Sequence, residues 1–232
     1  MHILLTRPLD DCKDLILKFK SLDNIVSHLP LIEIIKKPHR NIDFGQYKGV
    51  IFTSSNSLKN LDDQKIDKNI FCFCVGSFTE KEASKNGFQN IYCADGNVKN
   101  LKEIILQNFG KKSGKLIYIC GELITSDLDK ELISEGYLVD KIVNYSVSHV
   151  KNVKPDFFEK LKKSMPDVVY VYSQNSATSF MNIIKNNNME DQWMNTNLMC
   201  IGEKTSAILN EIKWKKIFLF SPGEEEYLLY KI

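Results

Sequence analysis

The stretch CIGEKTSAIL, residues 200–209, repeats a pattern that occurs earlier in the chain as CVGSFTEKEA, residues 74–83. Both stretches read Cys, an aliphatic residue, Gly, two variable residues and Thr. A pattern that recurs within one chain indicates two related structural units. This pair of stretches is therefore the starting point for predicting the fold.

The segments around the two copies also correspond, and they do so in the same order. IFTSSNSLKNL (51–61) precedes the first copy, and VYSQNSATSF (171–180) precedes the second. FQNIYC (88–93) follows the first copy, and KKIFLF (215–220) follows the second. The alternative is a chance similarity between common strand-to-helix turns. The shared order and spacing favour two structurally similar halves.

Short apolar runs alternate with amphipathic helical patterns along the chain. Runs that are apolar on both faces are typical of parallel strands covered by helices. We therefore predict an α/β fold with two similar domains, each a five-stranded, mostly parallel sheet flanked by helices. The candidate strands are residues 2–6, 25–34, 49–54, 70–76, 90–93, 115–121, 138–147, 167–173, 198–202 and 216–221.

The two halves are not a simple tandem repeat. The first copy continues into a strand–helix–strand segment, residues 115–147, whereas the second copy reaches the last residue without one. Residues 1–34 show the missing pattern at the front of the chain. We therefore expect a discontinuous outer domain of residues 1–34 and 148–232, with an inserted domain of residues 35–147. Two crossings between domains predict a two-stranded hinge that allows opening and closing.

Composition excludes several classes of protein. The net charge is only +2, and lysines alternate with acidic residues, so nucleic acid is not an expected partner. No apolar run approaches the roughly 20 residues that span a bilayer, so we expect no membrane association. The start of the chain, MHILLTRPLDDCKD, has no basic region and is not typical of a signal peptide. These features predict a cytoplasmic protein.

The cysteines and histidines do not form a metal-binding pattern. The six cysteines contain no Cys-x-x-Cys pair, and the four histidines are scattered along the chain. We expect reduced cysteines packed as small apolar residues, and neither a metal nor a cofactor. The full dinucleotide-binding glycine fingerprint and the P-loop are also missing.

Each repeated motif lies where a predicted strand ends and a helix begins. Hydroxyl groups and free backbone N–H groups at a helix start favour anions. The alternative interpretation is ordinary helix capping by Ser54 or Ser55, Thr79, Ser173 and Thr205. Four such turns, paired across a duplication, favour a ligand, and we predict that they line one cleft. The candidate binding residues are Ser54, Ser55, Gly76, Thr79, Ser173, Gly202 and Thr205.

The chain resembles the uroporphyrinogen-III synthase family over nearly its whole length. The resemblance implies two α/β domains joined by a two-stranded connection. It also implies cyclisation of the linear tetrapyrrole hydroxymethylbilane with inversion of ring D, without a cofactor or metal. The segments that carry the resemblance are ILLTRP (3–8), IFTSSNSL (51–58), VGSFTEKEASKNGF (75–88), the run from Gly121 to Tyr145, YSQNSATSF (172–180), IGEKTSAIL (201–209) and FSPGEEEYLL (220–229).

The resemblance also implies roles for individual residues. Tyr145 matches the family's tyrosine at the second domain crossing, where it would donate a proton to the leaving hydroxyl of the substrate. The alternative role of Tyr145 is an aromatic side chain packed at the hinge. Thr79 and Thr205 match two threonines of the family's cleft. With them, the acetate and propionate arms would contact Arg7, Ser54, Ser55, Gly76, Ser173 and Gly202. Cys120 occupies a position where the family often has arginine.

Two other classes of protein share parts of this pattern. A non-catalytic two-lobed protein that closes on a small anion has the same duplicated plan and double crossing. A glycosyltransferase-like enzyme would require a nucleotide-sugar signature, which the sequence does not show. For the synthase, we expect a monomer that takes hydroxymethylbilane and makes transient contact with the preceding enzyme of the pathway.

Overall fold

A computed structural model describes residues 1–61, 66–95, 97–150, 153–221 and 224–225. Part of the FSPGEEEYLL motif therefore lies outside the described residues. The strands are β1 (His2–Leu5), β2 (Ile25–His28), β3 (Ile32–Lys36), β4 (Tyr47–Phe52), β5 (Phe71–Val75), β6 (Asn90–Ala94), β7 (Lys115–Gly121), β8 (Leu138–His149), β9 (Val168–Val171), β10 (Asn197–Cys200) and β11 (Lys216–Leu219). The helices are α1 (Leu9–Ser21), α2 (Ser55–Lys59), α3 (Ser77–Lys85), α4 (Val98–Asn108), α5 (Leu128–Ser134), α6 (Pro155–Lys163), α7 (Gln174–Asn186) and α8 (Glu203–Leu209).

The strands form two sheets, with the orders β11-β10-β9-β1-β2 and β3-β8-β7-β4-β5-β6. In the first sheet all neighbouring strands are parallel, and in the second all neighbours from β8 across to β6 are parallel. β3 runs against β8, because Lys37 N–H donates to Asn144 O while Val150 N–H donates to Leu31 O. The prediction of mixed α/β structure with mostly parallel sheets and flanking helices is confirmed.

The second sheet has six strands instead of the predicted five. The apolar run at residues 25–34 was predicted as one strand, but it forms two strands in different sheets. Pro30 lies between them. Proline has no N–H to donate to a neighbouring strand, so pairing is interrupted there.

The two sheets have equivalent topologies. In the first, β9, β10 and β11 follow one another towards one edge, while β1 and β2 extend towards the other. In the second, β4, β5 and β6 do the same, opposite to β7 and β8. The order of the chain therefore reverses between β9 and β1, and between β4 and β7. Such reversals are switch points, at whose carboxyl ends open α/β sheets bind ligands.

Each sheet is covered by apolar side chains on both of its faces. One face of the first sheet packs against Phe180 and Trp193, and the other packs against Phe19. The second sheet also has an apolar cluster on each face. All six cysteines are free thiols; Cys93 is half-buried and the other five are buried. Burial on both faces explains why the strands read as nearly continuous apolar runs.

The chain divides into two compact units, residues 1–33 with 148–232 and residues 34–147. In the first unit, β1 lies between β2 and β9, with Ile3 opposite Val168. We propose that each unit is a domain that folds by itself.

A fragment of residues 34–147 should fold alone, because four strands of its sheet lie wholly within it and most of β3 and β8 does too. We expect cooperative unfolding in denaturant, followed by circular dichroism. A fragment of residues 148–232 serves as the control. It lacks β1 and β2, so β9 loses a neighbour and the fragment should not unfold cooperatively. A gradual, non-cooperative transition for residues 34–147 would contradict the proposal.

Asp140 on β8 connects three side chains, namely Tyr47 at the start of β4, Lys115 at the start of β7, and Arg40 between β3 and β4. Its Oδ2 accepts hydrogen bonds from Tyr47 Oη at 2.6 Å and Lys115 Nζ at 2.7 Å, and Arg40 lies 3.5 Å away. Burial alone would raise the pKa of Asp140, but hydrogen bonds from Lys115 and Tyr47 outweigh it and lower that pKa. The folded state therefore favours the carboxylate.

Asp140→Asn should lower the free energy of unfolding at pH 7 by about 1–2 kcal/mol, since hydrogen bonds to charged groups are lost. A depressed folded-state pKa contributes stability above the unfolded value, near 4, and that contribution disappears as the pH falls through the folded value. The difference from wild type should therefore shrink below about pH 4. Asp156→Asn, at an exposed ion pair with Lys160, is the control and should change little. A difference that is independent of pH would contradict this account.

Candidate functional site

Two serines begin equivalent helices after equivalent strands. Ser54 precedes α2 and accepts a hydrogen bond from Asn56 N–H at 3.3 Å. Ser173 precedes α7 and accepts one from Ser176 N–H at 3.1 Å. Both serines have extended backbones, with φ of −156° and −163°. Ser55, the first residue of α2, lies beside the cap. These hydroxyls therefore act as helix caps at the carboxyl edges of the two sheets.

Two glycines begin the helices that follow the neighbouring strands. Gly76 precedes α3 with φ 79° and ψ 149°, and Gly202 precedes α8 with φ 73° and ψ 160°. These backbone angles are essentially restricted to glycine. A Cβ atom at either position would have no neighbour within 4 Å. Glycine is therefore required by the backbone turn, and the turn leaves open space beside it.

The alternative interpretation, in which Thr79 and Thr205 cap their helices, is wrong, because Gly76 and Gly202 occupy the cap positions. Each threonine is the third residue of its helix, and its N–H donates to the glycine carbonyl, at 3.0 Å for Thr79 and 3.2 Å for Thr205. Both threonines are only 4% exposed. Their side chains therefore pack under the turn and offer little surface to a ligand.

A cavity of about 140 Å³ lies at the switch point of the second sheet, between the ends of β4 and β7. Thr53 Oγ1 and Tyr118 Oη lie 3.0 Å apart at its wall. The Ser126 hydroxyl is buried and has no hydrogen-bond partner among the described residues. The hydroxyl-bearing residues of this wall are Thr53, Ser54, Tyr118, Thr125, Ser126 and Tyr145. The cavity is therefore suited to groups that exchange hydrogen bonds or protons with hydroxyls.

Tyr145 is one of the two buried phenols of this cavity, the other being Tyr118, and it is 7% exposed. Burial raises the pKa of Tyr145 above its ordinary value. The neighbouring Ser54 hydroxyl acts in the opposite direction, since a hydrogen bond to the oxygen of Tyr145 stabilises the phenolate. At neutral pH the phenol therefore keeps its proton and has a nearby donor that supports its loss.

A larger cavity, of about 480 Å³, lies between α4 and α5. It shares Val98 and Ser126 with the switch-point cavity, but it contains no predicted site residue. Lys102 at its wall forms ion pairs with Glu131 at 3.2 Å and Glu135 at 3.3 Å. We take the smaller cavity as the site, because it lies at the carboxyl ends of the strands and contains Tyr145.

The switch point of the first sheet carries different side chains. Arg7 follows β1, and its guanidinium carbon lies 4.7 Å from the ring centroid of Tyr172, which follows β9. The Tyr172 hydroxyl is buried without a hydrogen-bond partner in the described part of the chain. Burial raises the pKa of Tyr172 well above its ordinary value. This edge therefore combines a cation with a protonated phenol.

The predicted site residues fall into two groups, one in each unit. The second unit brings Ser54 and Tyr145 together at one cavity, while Gly76 and Thr79 lie at the end of the adjacent strand. The first unit places Arg7 beside Tyr172 at its switch point. That all the turns line one cleft stays a prediction. The additional residues, which sequence reasoning missed, are Thr53, Tyr118, Gly121, Thr125, Ser126 and Tyr172.

One signal for the missed residues was present in the sequence. Thr53 and Tyr172 immediately precede the two aligned serines, so they occupy equivalent positions in the repeat. Residues 122–126 directly follow the strand predicted at residues 115–121, of which Gly121 is the last residue, and that position predicts the carboxyl edge of the sheet. Neither signal indicates which hydroxyls meet, because this depends on how β7 and β8 pair.

These features define a duplicated α/β protein with hydroxyl-rich turns at the switch points of both sheets. The sequence matches the family described as uroporphyrinogen-III synthase HemD over residues 13–220. The chain belongs to the uroporphyrinogen-III synthase family, whose members act in tetrapyrrole biosynthesis, and the resemblance seen in the sequence is confirmed. No curated protein sequence gives a significant match.

Solved structures support the same fold. The uroporphyrinogen-III synthetase of Helicobacter pylori has a TM-score of 0.64 and 18% identity, with 99% of this chain and 98% of that chain covered. A mutant uroporphyrinogen III synthase of the extremely thermophilic bacterium Thermus thermophilus has a TM-score of 0.53 and 13% identity, with 100% of this chain and 97% of that chain covered.

Among the described residues, every helix is too short or too polar to cross a membrane.

Replacing Gly76 or Gly202 with alanine should destabilise the protein by about 1–3 kcal/mol, since these backbone angles strain any residue with a Cβ atom. The open space beside both glycines means that a steric clash does not contribute. Urea unfolding midpoints measure the effect. Gly45→Ala is the control, because Gly45 does not have a positive φ. Unchanged midpoints for the Gly76 and Gly202 variants would show that the turns relax freely.

Proposed function

We propose that this chain cyclises hydroxymethylbilane to uroporphyrinogen III, with inversion of ring D and release of water. Such an enzyme is a lyase of the hydro-lyase class. Family membership supports a tetrapyrrole substrate. The observation that carries the proposed chemistry is the protonated, buried phenol of Tyr145 in a hydroxyl-lined cavity at a switch point.

The first step is loss of the hydroxyl group from ring A. Tyr145 Oη donates its proton to that hydroxyl, which leaves as water, and ring A becomes an electrophilic azafulvene. Ser54 then donates a hydrogen bond to the phenolate oxygen and stabilises its charge. The raised pKa keeps the donor protonated before the step, while Ser54 lowers the cost of losing the proton.

The second task is orientation. The azafulvene carbon must attack the substituted position of ring D and form a spiro intermediate. The bond from that position to the methylene carbon that links ring D to ring C then breaks, and this methylene carbon bonds to the unsubstituted α-position of ring D, so that the ring is reinserted in the inverted sense. The α-carbon of ring D that forms the new bond then loses its proton, which restores the aromatic pyrrole of ring D and returns a proton to the Tyr145 phenolate. Holding a flexible chain in one reactive arrangement supplies much of the rate enhancement in such reactions. No metal or cofactor takes part in these steps.

The substrate carries eight carboxylates, and we assign their binding to the helix starts. Ser55, Ser173, Gly76 and Gly202 stand at turns where the first N–H groups of a helix have no partner within that helix. Arg7 adds a positive charge. Because the Thr79 and Thr205 side chains are buried, the contribution of their turns falls mainly to backbone N–H groups.

The binding-protein alternative is not favoured, because the matching family and the similar structures are synthases. A monomeric state, a cytoplasmic location, transient contact with the preceding pathway enzyme, and opening and closing of the domains stay predictions. Incubating the wild-type protein with hydroxymethylbilane and separating the product isomers tests the proposal directly. Binding without conversion would favour the non-catalytic alternative.

Tyr145→Phe should slow formation of the inverted isomer by about tenfold or more, because the variant keeps the ring but loses the proton donor. Some activity should remain, since water can replace the phenol as a donor. The measurement is the ratio of inverted to unflipped product at a fixed time, with stability determined separately by denaturant unfolding. Full rate and full isomer purity would show that Tyr145 only packs.

Thr79→Ala and Thr205→Ala provide the contrast. Each removes one hydroxyl that lies under a turn, so KM should rise by less than about tenfold, corresponding to about 0.5–1.5 kcal/mol, while kcat stays near wild type. A large loss of kcat in either variant would instead assign the threonine a part in the chemical step.

A further inference from the structure

The position of Tyr145 depends on an irregularity in the pairing of β7 with β8. Cys120 lies opposite Val143, but the next residue, Gly121, lies opposite Tyr145. Asn144 is therefore an extra residue on β8, as in a β-bulge. A shift of one residue in a strand moves a side chain to the other face of the sheet. Without the extra residue, Gly121 would face Asn144, and Tyr145 would be turned away from the switch-point cavity.

The side chain and the backbone carbonyl of Asn144 both form hydrogen bonds that hold the bulge in place. Asn144 is fully buried, and its Nδ2 donates to Ser57 O of α2 at 2.7 Å. Its own carbonyl accepts from Lys37 N–H at 2.9 Å. The helix that accepts from Asn144 is the one that Ser54 caps. The bulge therefore connects β8 directly to α2, and Ser54, which caps α2, is the residue beside the Tyr145 hydroxyl.

Gly121 provides the space in which the ring of Tyr145 lies. A Cβ atom on Gly121 would lie 2.6 Å from Tyr145 Cζ, 2.8 Å from its Oη and 2.9 Å from its Cε2. Gly121 does not have a positive φ, in contrast to Gly76 and Gly202. Glycine is therefore required at position 121 by the tyrosine ring and not by the backbone.

We infer that Gly121 is a positioning residue for Tyr145: the bulge at Asn144 brings the phenol to the end of β7, and the missing side chain of Gly121 lets it enter the cavity. The position of the phenol follows from these contacts alone. Its consequence for catalysis rests on the proposed function of Tyr145 as the proton donor.

The first test measures the phenol itself and does not involve activity. In protein with ¹³C-labelled tyrosine, the Tyr145 signal is identified by its loss in Tyr145→Phe, and its titration is followed by NMR. Burial raises the pKa of Tyr145 in the wild type. In Gly121→Ala the displaced phenol should titrate at lower pH, closer to an exposed tyrosine. An unchanged titration would overturn the inference.

Gly49→Ala is the matched control. Gly49 lies on β4 of the same sheet, and a Cβ atom there would lie 2.7 Å from Leu116 Cδ2, a similarly close contact. The control should disturb the sheet to a comparable degree but leave the Tyr145 titration unchanged. An equal shift of the Tyr145 titration in Gly49→Ala would mean that general loosening of the sheet explains the result, and not the space that Gly121 leaves for the ring.

A thermodynamic cycle keeps the inference testable if Gly121→Ala folds poorly. In a Tyr145→Ala background the ring is gone, so adding Gly121→Ala should lower the urea midpoint much less than it does in the wild type. Equal losses in both backgrounds would show that Gly121 is needed for another reason and would overturn the inference.

The kinetic test separates this inference from the proposed function. Gly121→Ala should lower kcat towards the level of Tyr145→Phe, with a smaller change in KM, and should cause little further loss of kcat in the Tyr145→Phe background. If Tyr145→Phe is fully active, the proton-donor role fails, whereas the titration and the cycle still decide whether Gly121 positions the phenol. A further loss of about tenfold in the Tyr145→Phe background would contradict positioning through Tyr145.

Discussion

The pairing of β1 with β9 is the constraint on which the architecture of the first unit depends. Val168 to Val171 are fully buried, so the backbone N–H and C=O groups on both sides of β9 need partners within the sheet. β10 supplies one side, and β1, from the other end of the chain, supplies the other. The first residues of the chain must therefore join its last third. The strands from β3 to β8, which lie between them in the chain, form a second sheet, in which β7 takes the same place beside β4.

This central pairing also creates the candidate site. Parallel strands end at the same edge, and where the chain order reverses, the connections leave in opposite directions and open a crevice. At the strands next to the switch points, β5 and β10, the duplicated units keep the same backbone turn, as the similar angles of Gly76 and Gly202 show. Their side chains differ, because one switch point carries the Thr53–Tyr118 pair and the other carries Arg7 over Tyr172. A shared scaffold therefore supports different chemistry at each edge.

The glycine turns and the serine caps could be predicted from the repeat, because local backbone requirements act within a few residues. Ser54 and Ser173 cap helices as their sequence neighbours indicate. Thr79 could not be distinguished from a cap in this way, since a glycine that adopts an unusual φ takes the cap position three residues earlier. The prediction of a single strand for residues 25–34 was also wrong. The limits of β2 and β3 are set by their pairing partners in two different sheets and not by the apolar run.

The sequence by itself determined the α/β class, the duplication and the strand-to-helix turns, because these depend on periodicity, on apolar runs and on the conformational freedom of single residues. Only the tertiary structure decided which hydroxyls meet at the switch point of the second sheet. The contact of Tyr145 with Gly121 depends on the register between two strands and on one extra residue in one of them. Register is set by long-range packing and hydrogen bonding, and neither residue carries that information in its local sequence.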